Sequence, residues 1–169
     1  ALLKIDNYEQ KLIIRLKDLL HQENEIVNES IELLSQIEKR KIFLKMGYPS
    51  LYEFCIQELK YSEGTAYRRI SVARLLRELP EIKEKVDSGV VNLTSLSQAQ
   101  SFFNKRFKEN APLQKEEKML LIERLENKSH RECEKEILKL DPKAHRPDQA
   151  RQINNDLTEI RLTVDSEFM

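Results

Sequence analysis

Several residue types that carry common active-site chemistry are scarce in this 169-residue sequence. The three glycines, at positions 47, 64 and 89, are too far apart to form a glycine-rich loop that cradles phosphate. The three histidines, at positions 21, 130 and 145, are scattered, and no two of them have a metal-ligand spacing. These absences argue against an enzyme, and we predict no catalytic residue, no metal site and no cofactor.

The sequence also lacks an excess of either charge and lacks a long apolar run. It has 29 basic and 29 acidic side chains, so its formal net charge is zero. This balance argues against a general polyanion binder, and any contact with nucleic acid has to come from a local cluster of cations. No apolar run approaches the length of a bilayer span, and the first ten residues do not resemble a signal peptide. We expect a cytoplasmic protein with no membrane partner.

The two cysteines do not indicate a disulfide. Cys55 and Cys133 each lie on an apolar helical stripe. Because a free cysteine behaves as a small apolar side chain, we expect both thiols to be buried and unpaired.

Helix-forming patterns, by contrast, run through most of the chain. Charged residues make up 34% of it and hydrophobic residues 40%, and the apolar positions recur at the spacing of amphipathic helices. We predict an all-α, multi-helix bundle that contains a helix-turn-helix and ends in a short C-terminal β-strand. Its parts are long N-terminal helices (1–46), a helical core with the helix-turn-helix (47–140), and a linker with the strand (141–169). The predicted helices lie at 9–20, 24–46, 51–59, 63–79, 80–88, 92–103, 113–125 and 129–140.

Residues 51–79 have the pattern of a short helix, a tight turn and a second helix that carries arginines. Ser62 can cap the second helix through its hydroxyl, and Glu63 suits the positive end of the helix dipole. This order is typical of a helix-turn-helix that reads DNA. The apolar residues that share one face of the first helix are Leu51, Phe54, Cys55 and Leu59.

The second helix has two distinct faces when it is wound at about 100° per residue. Ala66, Ile70 and Ala73 form a face that can pack closely on the first helix. The other face has side chains that can donate hydrogen bonds to bases or phosphates. The predicted DNA-contacting residues are Lys60, Ser62, Gly64, Thr65, Tyr67, Arg68, Arg69, Ser71 and Arg74, with Tyr67, Arg68 and Ser71 at the bases and Lys60, Arg69 and Arg74 near phosphates.

Two alternative interpretations remain open at this point. Helices joined by a polar turn occur in any helical bundle, and arginines on such a helix can form a solvated face. A metal site at His130, Glu132 and Cys133 is a second alternative, because these residues lie within one helical turn. A capping box formed by Ser129 and Glu132, together with an apolar stripe that includes Cys133, explains the same residues without a metal.

The C-terminal part of the chain has a different pattern. Residues 141–155 contain two prolines and little apolar content, which is typical of a linker. Residues 157–164 alternate between apolar and polar side chains, which predicts a β-strand. Because a single strand leaves its backbone unpaired, it has to pair with a strand of a second chain, pair with sequence beyond residue 169, or fray; of these we expect pairing with the same strand of a second chain, which would form a homodimer.

Several segments resemble, in order, the N-terminal region of a bacterial family of HNH endonucleases. They are residues 41–55, 61–70, 73–75, 89–103, 128–132 and 157–164. In that family the nuclease is a histidine-rich metal site nearer the C-terminus, and this chain stops before such a motif. Lys60 departs from the glycine that the family has at the turn. A weaker similarity to the helix-turn-helix of chromosome-partition proteins rests on Leu79, Pro80 and residues 88–90.

The sequence thus favours a DNA-binding helix-turn-helix module with double-stranded DNA as its partner. The resemblance implies that it is the non-catalytic part of an HNH-endonuclease-like protein. The alternatives are a helical protein–protein interaction or dimerisation module, which the long charged helix at 24–46 would suit, and a regulator of transcription or partition.

Overall fold

The fold is taken from a computed structural model, which describes residues 6–141, 149–154 and 156–161. This part of the chain is predominantly helical, which confirms the predicted all-α class. None of its helices is both long and apolar enough to cross a membrane. The helices are α1 (Asn7–Lys39), α2 (Ile42–Lys45), α3 (Leu51–Gln57), α4 (Glu63–Glu78), α5 (Lys83–Asp87), α6 (Leu93–Lys108), α7 (Lys115–Arg124) and α8 (His130–Leu140), with a 3₁₀ turn at Pro80–Ile82; the strands are β1 (Gln149–Gln152) and β2 (Thr158–Arg161).

α1 is one continuous helix of 33 residues, although two helices were predicted in this region. Asp6 and Glu9 open it with a capping box, in which each side chain accepts a hydrogen bond from the other residue's backbone N–H at 2.8 Å. The predicted helix over 24–46 is interrupted at Lys41, whose φ of 52° lies in the left-handed region. The short helix α2 follows, and Gly47, with φ of 87°, leads the chain away from it.

α4 lies at the centre of the bundle, where it contacts α1, α3 and α6. Its buried side chains come from more than one face, and its exposed residues are confined to its first two turns and to Arg74, Arg77 and Glu78 near its C-terminal end. Full burial of each Leu, Ile or Val side chain contributes about 1.5–3 kcal/mol to such a core. The core side chains are Ile31, Leu34, Leu51, Phe54, Cys55, Ala66, Ile70, Val72, Ala73, Leu75, Leu79, Ile82, Val86, Val91, Leu96, Ala99, Phe102, Phe103, Leu121, Ile122, Leu125, Cys133 and Ile137.

Only the C-terminal half of α1 packs into this core. Ile31 and Leu34 are its buried residues. An ion pair between Lys83 and Glu32 joins the same half to α5. Every residue from 6 to 26, by contrast, is exposed, so the N-terminal half of α1 projects from the bundle.

The predicted cap residues of the later helices occupy the expected positions. Asn92, the first residue of the predicted helix over 92–103, caps α6, and its Oδ1 accepts from the backbone N–H of Ser95 at 2.8 Å. Ser129 caps α8 in the predicted capping box. Gly89 has a φ of 72° and directly follows the predicted helix over 80–88, whose second part is α5. The boundaries of these helices follow from local side-chain chemistry.

Three leucines that the apolar spacing places on buried helical faces are exposed, and Leu140, at the end of α8, is one of them at 46%. Leu59, expected on the buried face of the first helix of the motif, is 37% exposed because α3 ends at Gln57. Leu120 is 50% exposed, and its neighbour Leu121 is buried instead. Cys55 and Cys133 are buried and free, as predicted.

β1 and β2 form an antiparallel two-stranded hairpin in which Ala150 pairs with Ile160. The prediction that residues 141–155 form only a linker is therefore wrong, because β1 lies within them. The premise that the predicted strand is isolated is also wrong, because β1 satisfies one edge of β2 from within the same chain. Residues 162–164 of the predicted strand lie outside the described residues.

Candidate nucleic-acid interface

The predicted helix-turn-helix is formed by α3, a tight turn and α4. The Ser50 hydroxyl caps α3 by accepting from the backbone N–H of Glu53 at 3.0 Å. After α3, the backbone N–H of Tyr61 donates to the carbonyl of Cys55 at 3.0 Å and closes the turn. Lys60 adopts φ of 55°, the left-handed conformation that glycine would adopt without strain. The turn is therefore formed despite the departure from glycine, at a cost of about 1 kcal/mol.

Ser62 begins α4 as predicted. Its hydroxyl oxygen accepts from the backbone N–H of Thr65 at 3.3 Å, and the same hydroxyl donates to Oγ1 of Thr65 at 2.9 Å. Ser62 is exposed and Thr65 is half-buried. The first backbone N–H groups of any α-helix lack intrahelical partners, and this end of a helix suits a phosphate.

The exposed tip of α4 carries Gly64, Tyr67 and Arg68. Gly64 is exposed, Arg68 is half-buried, and Tyr67 is 48% exposed. Nη1 of Arg68 lies 3.2 Å from the position that a Cβ on Gly64 would occupy. The absence of a side chain at position 64 thus leaves room for the guanidinium to fold back over the first turn of the helix.

Arg69 lies beside the turn and not at the tip. Its guanidinium carbon is 4.5 Å from the centre of the Tyr61 ring, which is a cation–π geometry. Burial raises the pKa of the Cys55 thiol, and the charge of Arg69 opposes that shift. In the described part of the chain, Lys60, Arg68 and Arg69 form no ion pair with a carboxylate. Three cations thus surround the turn and the tip of α4 without acidic partners.

Ser71 occupies a different environment from the one predicted. It is only 7% exposed, so its hydroxyl has little surface to offer to a base edge. Ser71 lies in a groove of about 250 Å³ between α3, α4 and α6. The helical wheel placed Ser71 beside Arg68 but did not reveal that α6 packs against α4.

Arg74 and Arg77 point toward α1. Arg74 makes two hydrogen bonds to Oε1 of Glu38, and Nη1 of Arg77 lies 3.1 Å from Oε2 of the same carboxylate. Arg74 is thus held against α1, although it shares the single Glu38 carboxylate with Arg77 and its side chain is 50% exposed. This pairing speaks against the predicted role of Arg74 at a phosphate.

Part of α6 borders the tip of α4, which the sequence alone did not reveal. The hydroxyls of Tyr67 and Ser101 are 2.7 Å apart, and either can be the donor. Ser101, Asn104 and Lys108 line a groove next to Tyr67. Their three- and four-residue spacing marks a polar face of α6. The sequence pattern that could have identified these residues is therefore the polar face of α6, which lies opposite the apolar residues that pack in the core.

The alternative site at His130, Glu132 and Cys133 consists of residues with separate partners. Nε2 of His130 lies 2.9 Å from Nε2 of Gln98. The Ser129 hydroxyl donates to Glu132 at 2.6 Å, and this bond is the main cause of the lowered pKa of that carboxyl. Cys133 is buried, and its Sγ donates to Oγ of Ser95 at 3.1 Å. Within the described residues, no group of three or more His, Cys, Asp or Glu side chains is arranged to hold a metal ion.

Comparisons of the chain with protein-family models, with curated proteins and with solved structures found no match. The predicted site residues themselves fall into two groups. Seven lie at the turn and the first two turns of α4: Lys60, Ser62, Gly64, Thr65, Tyr67, Arg68 and Arg69. Ser71 and Arg74 lie beyond them, one buried and the other paired with Glu38.

Proposed function

We propose that this chain is a DNA-binding module that contacts duplex DNA through the turn and the N-terminal end of α4. The observation that carries the proposal is the cluster of Lys60, Arg68 and Arg69, whose cations have no carboxylate partner in the described structure. These cations surround the exposed end of the second helix of a helix-turn-helix. In such motifs the N-terminal residues of the second helix contact base edges in the major groove.

The proposed contacts follow from exposure and chemistry. Arg68 can present its planar fork to a guanine edge, and Tyr67 can donate to a phosphate or stack on a sugar. Lys60 and Arg69 are placed beside the turn, where they can neutralise phosphates. The first turn of α4, at residues 62–65, can offer backbone N–H groups to the same phosphates.

The resemblance to HNH endonucleases enters here as part of the proposal. We infer that the chain is the non-catalytic N-terminal part of a bacterial, cytoplasmic HNH-endonuclease-like protein. In this arrangement the helix-turn-helix supplies DNA binding, and the chain itself does not cleave. The sequence order that supports this inference runs from residue 41 to residue 164.

A second candidate function is that of a helical interaction or dimerisation module. The exposed N-terminal half of α1 favours it, because a solvated apolar face is unusual in a helix without a partner. A homodimer through the C-terminal strand would use the edge of β2 opposite to the one that pairs with β1. A role as a regulator of transcription or partition is compatible with the same DNA contacts.

Fluorescence anisotropy with a long duplex of mixed sequence, measured over a series of salt concentrations, tests DNA binding. We expect binding at low salt, and a log–log salt slope of about −0.9 for each phosphate neutralised. Arg77→Ala serves as the matched control, because Arg77 belongs to the same helix but is paired with Glu38 at the opposite end. Absence of binding at low salt, or a loss in Arg77→Ala as large as in Arg68→Ala, would overturn the proposal.

A further inference from the structure

The N-terminal half of α1 carries an apolar face that the described residues leave uncovered. Its aliphatic side chains are between 43% and 58% exposed. At about 100° per residue they fall within an arc of about 120° centred on Leu16. The side chains of this surface, called the α1 stripe below, are Leu12, Ile13, Leu16, Leu19 and Leu20.

The α1 stripe continues a face that is already used for packing. Ile31 and Leu34, further along the same helix, fall within the same arc and are buried. There the face is covered by α4 and α5, which α1 contacts. One helical face thus has a covered C-terminal half and an uncovered N-terminal half.

Charged residues along the α1 stripe have a self-complementary arrangement. Arg15 and Lys17 flank Leu16, each about 100° away on opposite sides. Glu23 lies near the middle of the arc, about two helical turns further along. In the described residues, none of these three side chains forms an ion pair. The face therefore offers both the cations and the anion that a second copy of itself would require.

We propose that the α1 stripe is covered by the α1 stripe of a second copy of this chain, packed antiparallel about a two-fold axis between Leu19 and Leu20. In this register Leu19 faces Leu20 of the second copy, and Ile13 faces Ile26. Glu23 faces Leu16 of the second copy, with Arg15 and Lys17 of that copy on either side. Each carboxylate then gains two cations, and the interface is isologous, as a two-fold axis requires.

Other registers of the same two helices are less favourable. A parallel pair places Glu23 against Glu23 in the middle of the apolar face. An antiparallel pair centred on Leu16 places Glu9 against Glu23. Like charges in such positions oppose association. The dimer goes beyond the proposed DNA binding and does not depend on it.

Sedimentation equilibrium of the full chain without DNA, over a series of protein concentrations, tests the proposal. We expect a reversible monomer–dimer equilibrium. Leu16→Asp and Leu19→Asp should each raise the dimer dissociation constant by about tenfold or more. Ile14→Asp is the matched control, because Ile14 is 59% exposed on the same helix but lies about 160° from Leu16. Like the two test variants, it places an aspartate in the N-terminal half of α1, and it should leave the dissociation constant unchanged.

Charge reversal tests the register. Glu23→Arg alone should weaken the dimer, and so should Arg15→Glu combined with Lys17→Glu. The variant with all three changes should recover most of the wild-type dissociation constant. A monomeric wild-type chain, a dimer that persists in Leu16→Asp and Leu19→Asp, or an equal effect of Ile14→Asp would overturn the dimer. Failure of the triple variant to recover would overturn the antiparallel register.

Discussion

Arg74 holds Glu38 with two hydrogen bonds to one carboxylate oxygen, from Nη2 at 2.7 Å and from Nε at 2.9 Å. The bonds join the C-terminal half of α4 to the last turn of α1. Arg77 contacts the other oxygen of the same carboxylate. The arginines of α4 therefore differ along the helix: Arg68 and Arg69 form no ion pair in the described residues, whereas Arg74 and Arg77 pair with Glu38 of α1.

We expect Arg74→Ala to lower the free energy of unfolding by about 0.5–1 kcal/mol, because the arginine side chain is half exposed and Arg77 still neutralises Glu38. Urea denaturation of the wild type, Arg74→Ala, Glu38→Ala and the double variant measures the coupling between the two residues. The same Arg74→Ala change should reduce DNA affinity less than Arg68→Ala does. A larger reduction would restore Arg74 to the DNA interface.

Base reading by Arg68 can be separated from simple charge attraction. Arg68→Ala should lower affinity for a preferred duplex by about 1–3 kcal/mol and should relax the preference over random duplex. Lys60→Ala should weaken binding to all sequences about equally and reduce the salt slope by about one unit. Anisotropy titrations with a selected and a random duplex compare them. If both variants lose affinity equally for the two duplexes, Arg68 does not read bases.

Replacement of Lys60 by glycine should have opposite effects on stability and on DNA affinity. Lys60→Gly should raise the free energy of unfolding by up to about 1 kcal/mol, because glycine adopts the positive φ of this turn without strain. Lys60→Ala keeps the strain and should give no such gain. Both variants remove the cation and should weaken DNA binding alike. Chemical denaturation decides the first point, and a Lys60→Gly variant less stable than Lys60→Ala would contradict it.

The capping box of α8 should contribute to stability in a pH-dependent way. Hydrogen bonds from the hydroxyl and the backbone N–H of Ser129 lower the pKa of Glu132. A carboxyl with a lowered folded pKa stabilises the protein above its unfolded pKa of about 4.3, and this stabilisation is lost as the pH falls through the folded value. Unfolding of Glu132→Gln should therefore depend less steeply on acid pH than unfolding of the wild type.

Glu29→Gln, at an exposed position of α1, is the control for that measurement. It should leave the acid dependence of the wild type almost unchanged. The stability difference between the wild type and Glu132→Gln should be present at neutral pH and disappear at low pH. A stability difference that stays constant across this pH range would show that the negative charge of Glu132 does not contribute to the stability of the capping box.

Local side-chain chemistry made the helix boundaries of the motif predictable. Ser62, Asn92 and Ser129 were expected to begin helices, and each side chain accepts the capping hydrogen bond from a backbone N–H three residues later. Such capping patterns involve residues within one helical turn, so they can be recognised in the sequence without knowledge of the fold. The apolar spacing of α3 and α4 has the same local origin, which is why the helix-turn-helix itself was predicted.

Only the tertiary structure decided which predicted site residues reach solvent. A helical wheel shows that Ser71 and Arg68 share a face, but it does not show that α6 covers one of them. Arg74 pairs with Glu38 across 36 residues, and the periodicity of neither helix encodes that pairing. β1 likewise became recognisable as a strand only through β2, because a short polar segment without apolar alternation is identified as a strand by the backbone hydrogen bonds of its partner. The sequence by itself determined the helices and their caps through contacts within a turn. Their mutual packing, through long-range contacts, decided which of the arginines of α4 pair with Glu38.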